Sequence, residues 1–227
     1  MNIPKQRVIF HIDVNSAFLS WEAVYRLHHL GGKEDLREKV SAVGGDMAMR
    51  HGIILAKSIP AKKFHIKTGE TILEAKQKCP ELILVPPNYG LYEKCSKAFM
   101  DILHQYSPTV EQYSIDEAFV DMTGTEGLWG DPVTAAYRMK DQIRDTLGFT
   151  VNIGISENKL LAKMASDFQK PDRVHTLWHN EIEDKMWPLP VSDLFFVGRA
   201  TAKKLFNLGI HTIGELAHAE PHLLKVH

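Results

Sequence analysis

Val110-Glu111-Gln112-Tyr113-Ser114-Ile115-Asp116-Glu117-Ala118-Phe119-Val120-Asp121-Met122 is the stretch on which the fold turns. Val110 to Ser114 and Ala118 to Met122 are rich in β-forming residues, and only Ile115, Asp116 and Glu117 separate them. The spacing predicts a tight hairpin with a carboxylate pair at its tip. An acidic pair in a turn is, by itself, ordinary solvent-facing turn chemistry.

The flanking sequence gives the hairpin a setting. Gly90 to Tyr106 carries Leu91, Cys95, Phe99, Ile102 and Tyr106 on one stripe, the spacing of a helix. Asp131-Pro132 reads as an N-cap followed by proline at the first helical position. That helix runs to Leu147, where Gly148 closes it. Thr150 to Ile155 reads as a strand, and Ser156 as the cap of a helix through Phe168. At the N-terminus, Val8 to Val14 reads as a strand. Val8, Phe10, Ile12 and Val14 share one face; Ile9, His11 and Asp13 share the other. A helix containing Phe18, Trp21 and Val24 follows and ends at Gly31-Gly32. The order is that of an α+β βαββαβ (ferredoxin-like) split sheet, interrupted between residues 19 and 87. Within the interruption, Val40–Val43, Gly52–Ala56 and Leu82–Val85 read as short strands. Thr71 and Glu74 form a capping-box pattern. A linker is expected near residues 178–190, with a small helical module after it.

In such a sheet the end of the first strand lies beside the hairpin. Asp13, Asp116 and Glu117 would then meet, and three carboxylates at one point repel each other unless cations neutralise them. Hard cations suit oxygen ligands, magnesium above all. Two ions ~3.5–4 Å apart can clamp the attacking and leaving oxygens of an in-line phosphoryl displacement.

Composition narrows the alternatives. No apolar run is long enough to cross a membrane, no signal-peptide pattern is present, and Cys79 and Cys95 are the only cysteines. These features predict a cytoplasmic protein with free thiols and no membrane association. No zinc spacing occurs among the histidines. Net charge is −1, low for a nucleic-acid binder, but the charge is unevenly spread. Met47 to Lys78 holds seven Lys/Arg and two Asp/Glu, whereas Glu111 to Asp145 holds eight acids and three bases. A basic stretch followed by an acidic one can hold a polyanion on one side and metal cations on the other.

Three motifs occur in order: Asp13-Val14-Asn15-Ser16-Ala17-Phe18, then Tyr113-Ser114-Ile115-Asp116-Glu117-Ala118-Phe119, then Gly154 to Asp167. Together they resemble the Y-family DNA polymerases over essentially the whole chain. The Asn88–Gly124 block is more similar to the UmuC-like than to the DinB-like branch. The resemblance implies a palm at residues 1–18 and 88–177, fingers at 19–87 and a helix-hairpin-helix thumb at 178–227. It implies translesion synthesis in DNA repair and the SOS response, with dNTP and primer-template DNA as substrates.

The resemblance assigns two magnesium ions to Asp13, Asp116 and Glu117, helped by the Val14 carbonyl. It places Ser16, Ala17, Phe18, Ser58, Lys62 and Lys170 against the nucleotide, with Phe18 as a steric gate that excludes the 2′-hydroxyl. Ala56, Ile59 and Lys62 depart from the DinB-like pattern. Lys159 and Lys163 are expected at the template backbone or in solvent, and Asp167 beside a lysine. Gly198, Arg199 and Lys203 match the DNA-contacting hairpin, although Phe196 stands where a glycine is usual. Family members continue into a little finger domain, so the chain is expected to be either a fragment or a naturally short form, monomeric, with weak DNA affinity and poor extension. Sliding-clamp binding is expected from the missing C-terminal region. A non-catalytic DNA-repair adaptor on the same fold is the alternative, and a nucleotidyl cyclase a more distant one.

Overall fold

A computed structural model describes residues 6–45 and 52–226. The Arg50 end of the basic stretch lies outside the described residues. In chain order the elements are β1 (Ile9–Val14), α1 (Ala17–His29), β2 (Ser41–Gly44), β3 (Ile54–Lys57), α2 (Ile59–Lys62), α3 (Ile72–Lys78) and β4 (Ile83–Val85). Next come α4 (Tyr89–Tyr106), β5 (Val110–Gln112), β6 (Glu117–Asp121), α5 (Glu126–Trp129), α6 (Pro132–Leu147) and β7 (Val151–Ser156). The chain continues through α7 (Lys159–Asp167), β8 (Val174–Thr176), α8 (Ile182–Lys185), α9 (Arg199–Asn207), α10 (Ile213–His218) and α11 (Pro221–Val226).

The central sheet runs β5-β6-β1-β7-β8. Its first four strands have the order of a βαββαβ split sheet, as the sequence predicts. β8 is an addition that three residues of weak pattern did not announce. It pairs parallel with β7, whereas β1 pairs antiparallel with both β6 and β7. β1 is buried along its whole length. Phe10, Ile12 and Val14 face a core built with Phe99, Leu103, Met139 and Ile143 of α4 and α6. The other face of β1 lies under α7. There Gly154 of β7 is required: a Cβ at that position would sit 2.0 Å from the Ala162 carbonyl oxygen and 2.4 Å from the Ser166 nitrogen. The missing side chain lets α7 rest directly on the sheet.

The hairpin differs from the expected one at its tip. β5 ends at Gln112 and β6 begins at Glu117, so Glu117 is a strand residue and the loop is 113–116. The Tyr113 and Ser114 amides both donate to the Glu117 carbonyl, at 2.9 and 3.1 Å, which closes the loop one residue early. The α7 cap also moves: Asn158 accepts from the Leu161 amide at 2.9 Å, while Ser156 completes β7 and donates to the Leu177 carbonyl. The α6 boundaries and the capping box of Thr71 and Glu74 are as expected.

The insert has its own sheet, β3-β2-β4, and its own small core of Ala42, Ile54, Ala61, Ile66, Ala75, Cys79 and Leu82. The expected linker near 178–190 is instead packed structure. Met186, Leu189 and Trp187 join Leu161, Met164 and Leu177 in a core beneath the C-terminal helices. Among the described residues no helix is long and apolar enough to cross a membrane.

Candidate active site

The sheet brings the three carboxylates together. Asp13 and Glu117 are register partners across β1 and β6, and the Val14 amide donates to the Asp116 carbonyl at 3.0 Å. Asp13 is buried. Its Oδ2 pairs with Lys170 and lies 3.7 Å from Lys163 Nζ. Lys163 also reaches Glu117 Oε2 at 3.2 Å and Asp167 Oδ2 at 3.5 Å, and Lys170 reaches Asp167 Oδ1 at 2.9 Å. Lys163 is therefore buried against the acids, not exposed as the sequence suggested, because α7 lies on the sheet. Asp167 pairs with two lysines. Lys159 pairs with Glu111 on β5.

The acids titrate differently. Burial pushes Asp116 above the usual carboxylate range; the Ser114 hydroxyl, donating at 2.8 Å, opposes this, while the charges of Asp13 and Glu117 add to it. Burial would also raise Glu117, but a hydrogen bond from His11 and the charge of Lys163 overcome it and hold Glu117 at about 2. Burial disfavours the Lys170 ammonium, yet Asp13 and Asp167 raise its pKa. As the side chains stand, no group of three or more acidic, histidine or cysteine residues among the described ones is gathered closely enough to enclose an ion. Ammonium groups hold Asp13 and Glu117 instead. The oxygens that could hold a metal are the three carboxylates and the Val14 carbonyl.

A cleft of about 300 Å³ opens beside these acids, lined by Asp13, Ser16, Phe18, Lys62, Asp116 and Lys170 among others. Val14, Ala17 and Lys57 also line it. Acids line one side; Lys57 and Lys62 from the insert and Lys170 from the loop between α7 and β8 supply the positive charge. Ser16 adopts φ 47° and begins α1 without a side-chain cap, leaving the first-turn amides of a 13-residue helix at the cleft. Such amides attract anions. Phe18 stacks on Tyr92 with ring centroids 4.4 Å apart and planes 8° apart. Tyr92 is buried and donates to Glu22 at 3.1 Å, so the Phe18 ring has a fixed backing. The Asn15 side chain ties this end of β1 to the chain around Lys170: its Oδ1 accepts from Thr150 and from the Asp172 amide, both at 2.9 Å.

Ser58 lines an adjoining hollow that shares Asp13, Ser16, Lys62 and Lys170 with this cleft. It is buried, capping α2 through the Ala61 amide at 3.1 Å and accepting from the Ser41 amide at 3.2 Å. Its place is beneath Lys62, which it orients through the helix start. Gly198, Arg199 and Lys203 do come together, around an exposed hollow that Val197, Ala202 and Phe206 also line. Phe196 adopts φ 72°, the conformation the usual glycine would supply without strain. The sequence reading passed over His11 and Ser166. The alternation that places Asp13 on the α7 side of β1 places His11 there too.

Comparisons with known proteins agree with this geometry. The chain matches the impB/mucB/samB family over residues 12–167 and the IMS family HHH motif over residues 179–210. It is 51% identical over 220 residues to DNA polymerase IV of Clostridium acetobutylicum, covering 96% of this chain and 55% of that protein. A crystal structure of DinB from Sulfolobus solfataricus superposes with TM-score 0.83 at 26% identity, covering 96% of this chain and 62% of that one. An insertion ternary complex of Dbh DNA polymerase matches equally, with the same TM-score, identity and coverage. The chain spans about half the length of the curated relatives it matches. The names DNA polymerase IV and DinB correct the expected UmuC-like branch and point to the DinB type. Ala56, Ile59 and Lys62 are therefore not a mark of the other branch.

Proposed function

Because this chain belongs to the impB/mucB/samB family, the Y-family DNA polymerases, we propose that it carries the reaction centre of a DNA-directed DNA polymerase for translesion synthesis in DNA repair. The substrates are a dNTP and a primer-template. Asp13, Asp116 and Glu117, with the Val14 carbonyl, hold two magnesium ions. Residues 1–18 and 88–177 act as palm, 19–87 as fingers and 178–227 as thumb. Clamp contacts and a role in the SOS response fall to the longer protein type that the relatives represent.

One observation carries the reading. Asp13 and Glu117 oppose each other in register, with Asp116 joined to the same strand end, beside a cleft walled by lysines and closed at one end by Phe18. The donor set is oxygen only, and Asp116 is raised by burial and by its acidic neighbours, a cluster that a hard divalent cation relieves. These residues fit magnesium once Lys170 turns from Asp13. Bound there, magnesium supplies charge stabilisation to the attacking and departing oxygens.

The chain's own groups do the rest. The α1 amides at Ala17 and Phe18, with Lys62, hold the triphosphate. Lys170, released from Asp13, balances the charge that builds on the departing pyrophosphate. Phe18, immobilised on Tyr92, lies under the sugar and admits hydrogen but not hydroxyl at C2′. Gly198, Arg199 and Lys203 contact DNA phosphates, where backbone N–H groups grip without reading sequence.

Single-turnover primer extension, with the chain in excess over primer-template, tests this. Asp116→Asn should slow dNTP addition by about 10²–10³-fold, the worth of several kcal/mol of charge stabilisation. Phe18→Ala should raise ribonucleotide over deoxynucleotide selection by about tenfold or more. Extension undiminished in Asp116→Asn sinks the metal site, and unchanged sugar selection in Phe18→Ala sinks the gate.

A further inference from the structure

The α7-covered face of β1 holds a second line of polar residues behind the carboxylates. His11 is buried, with both ring nitrogens engaged. Nε2 lies 3.1 Å from Glu117 Oε2, and Nδ1 lies 2.8 Å from the Ser166 hydroxyl. The ring packs against Phe119, centroids 4.8 Å apart. Across β1 and β7, His11 is the register partner of Gly154. That glycine is the residue that lets α7 touch the sheet, and Ser166 reaches His11 for the same reason.

One hydrogen position follows from the donor and acceptor inventory. A carboxylate at Glu117 only accepts, so Nε2 must carry the hydrogen. The Ser166 hydroxyl has one hydrogen and two neighbours able to take it, His11 Nδ1 and the Lys163 carbonyl. The Lys163 carbonyl lies at 2.8 Å, one turn back on the same helix, and whichever of the two takes the hydrogen, Ser166 Oγ remains the partner of Nδ1. Ser166 thereby fixes the place of the ring, and the ring fixes the Glu117 oxygen that Nε2 meets. The contacts from His11 and from Lys163 both fall on Oε2 of Glu117. Among the described residues Oε1 has no partner, and it is the oxygen left to face a cation.

We propose that His11 and Ser166 are positioning residues for Glu117: the Ser166–His11–Glu117 chain fixes one carboxylate rotamer and keeps Oε1 directed at the divalent-cation site. Neither touches substrate. The arrangement is the carboxylate counterpart of the outer-shell hydrogen bonds that orient metal-bound histidines. It rests on the metal site proposed above.

Mn²⁺ binding, followed by the loss of the free-ion electron paramagnetic resonance signal without nucleotide or DNA, provides a readout independent of turnover. Thermal unfolding is measured alongside it in EDTA. His11→Phe keeps the ring volume and removes the donor; it should weaken Mn²⁺ binding by about tenfold or more, the usual size of such outer-shell effects. His11→Gln can place an amide N–H near the Nε2 position and should restore most of the affinity. Ser166→Ala should show a smaller loss. Equal Mn²⁺ affinity in wild type, His11→Phe and His11→Gln overturns the proposal. Equal loss in both variants, in step with a lower melting temperature, also overturns it, since His11 would then matter for packing alone. If wild type and Asp116→Asn bind Mn²⁺ alike, the metal site itself fails, a result distinct from failure of the His11 role.

Discussion

The strand pair that carries the acids and the hairpin near the C-terminus handle charge in opposite ways. Around Asp13, the polar groups are mutually bonded: His11, Asn152, Lys163 and Ser166 are all buried, and each has named partners. Around Gly198 the groups are exposed, and Phe196 is 82% exposed in a left-handed conformation. The first region fixes its electrostatics in the folded chain, where low polarity strengthens every interaction. The second defers its electrostatics until a polyanion arrives. A rigid site is suited to chemistry, and an open cationic surface to contacts that must slide along a backbone.

Acid tests that contrast first. Glu117 is held at about 2 against an ordinary 4.5, with its side chain 21% exposed. Between those values the unfolded chain takes up a proton that the folded chain refuses, so stability is lost as pH falls from about 4.5 toward 2. In EDTA, chemical denaturation should show wild type losing roughly 3 kcal/mol more than Glu117→Gln across that window. Glu215, in the capping box of α10, is also lowered, by the His211 and Thr212 amides, but at an exposed site. Glu215→Gln should alter the acid limb much less. Equal effects at the two positions would remove the distinction between a built-in and a deferred electrostatic site.

The same distinction explains what the sequence could and could not show. The meeting of Asp13 with Asp116 and Glu117 was legible because alternation in β1 and the shortness of the hairpin loop are local properties. The βαββαβ order was legible from helix caps such as Asp131-Pro132. The His11–Ser166 bond was not, since the partners are 155 positions apart and meet only because Gly154 admits α7. Lys163 was misjudged for the same reason: a lysine on a helix reads as exposed until the sheet beneath it is known. Ser58 was expected at the nucleotide only through the resemblance of its segment to a triphosphate-binding stretch, and it lines a hollow with Asp13, Lys62 and Lys170. Its part in the α2 cap, by contrast, follows from the serine before Ile59-Pro60.

A smaller effect is expected at the hairpin. Arg199 and Lys203 are exposed around the Gly198 hollow, and among the described residues neither has an ion-pair partner. If they meet DNA phosphates, Arg199→Ala should weaken duplex binding uniformly across sequences. It should also reduce the slope of log affinity against log salt by about one. Fluorescence anisotropy at several salt concentrations reads both quantities. An unchanged slope would place the DNA grip elsewhere.

The smallest effect is the most specific. Phe196 occupies φ 72° two residues before the α9 cap, and its ring lies 4.1 Å from that of Phe195, centroid to centroid. Phe195 in turn lies over Lys163, 6.0 Å from the ammonium, and 6.3 Å from the Tyr113 ring. An L-residue in this conformation carries about 1–2 kcal/mol of strain, whereas glycine adopts it freely at some cost in chain entropy. Phe196→Gly should therefore stabilise the chain by up to about 1 kcal/mol, a rise of about 2–4 °C in melting temperature for a domain of this size. It also removes an exposed ring from the approach to the α9 amides, so duplex affinity should rise while its salt slope steepens. Phe196→Ala keeps the strain and removes the ring, which separates the two causes. If Phe196→Ala matches Phe196→Gly in stability, backbone strain is not what the phenylalanine imposes, and the hairpin is held by the Phe195 side alone.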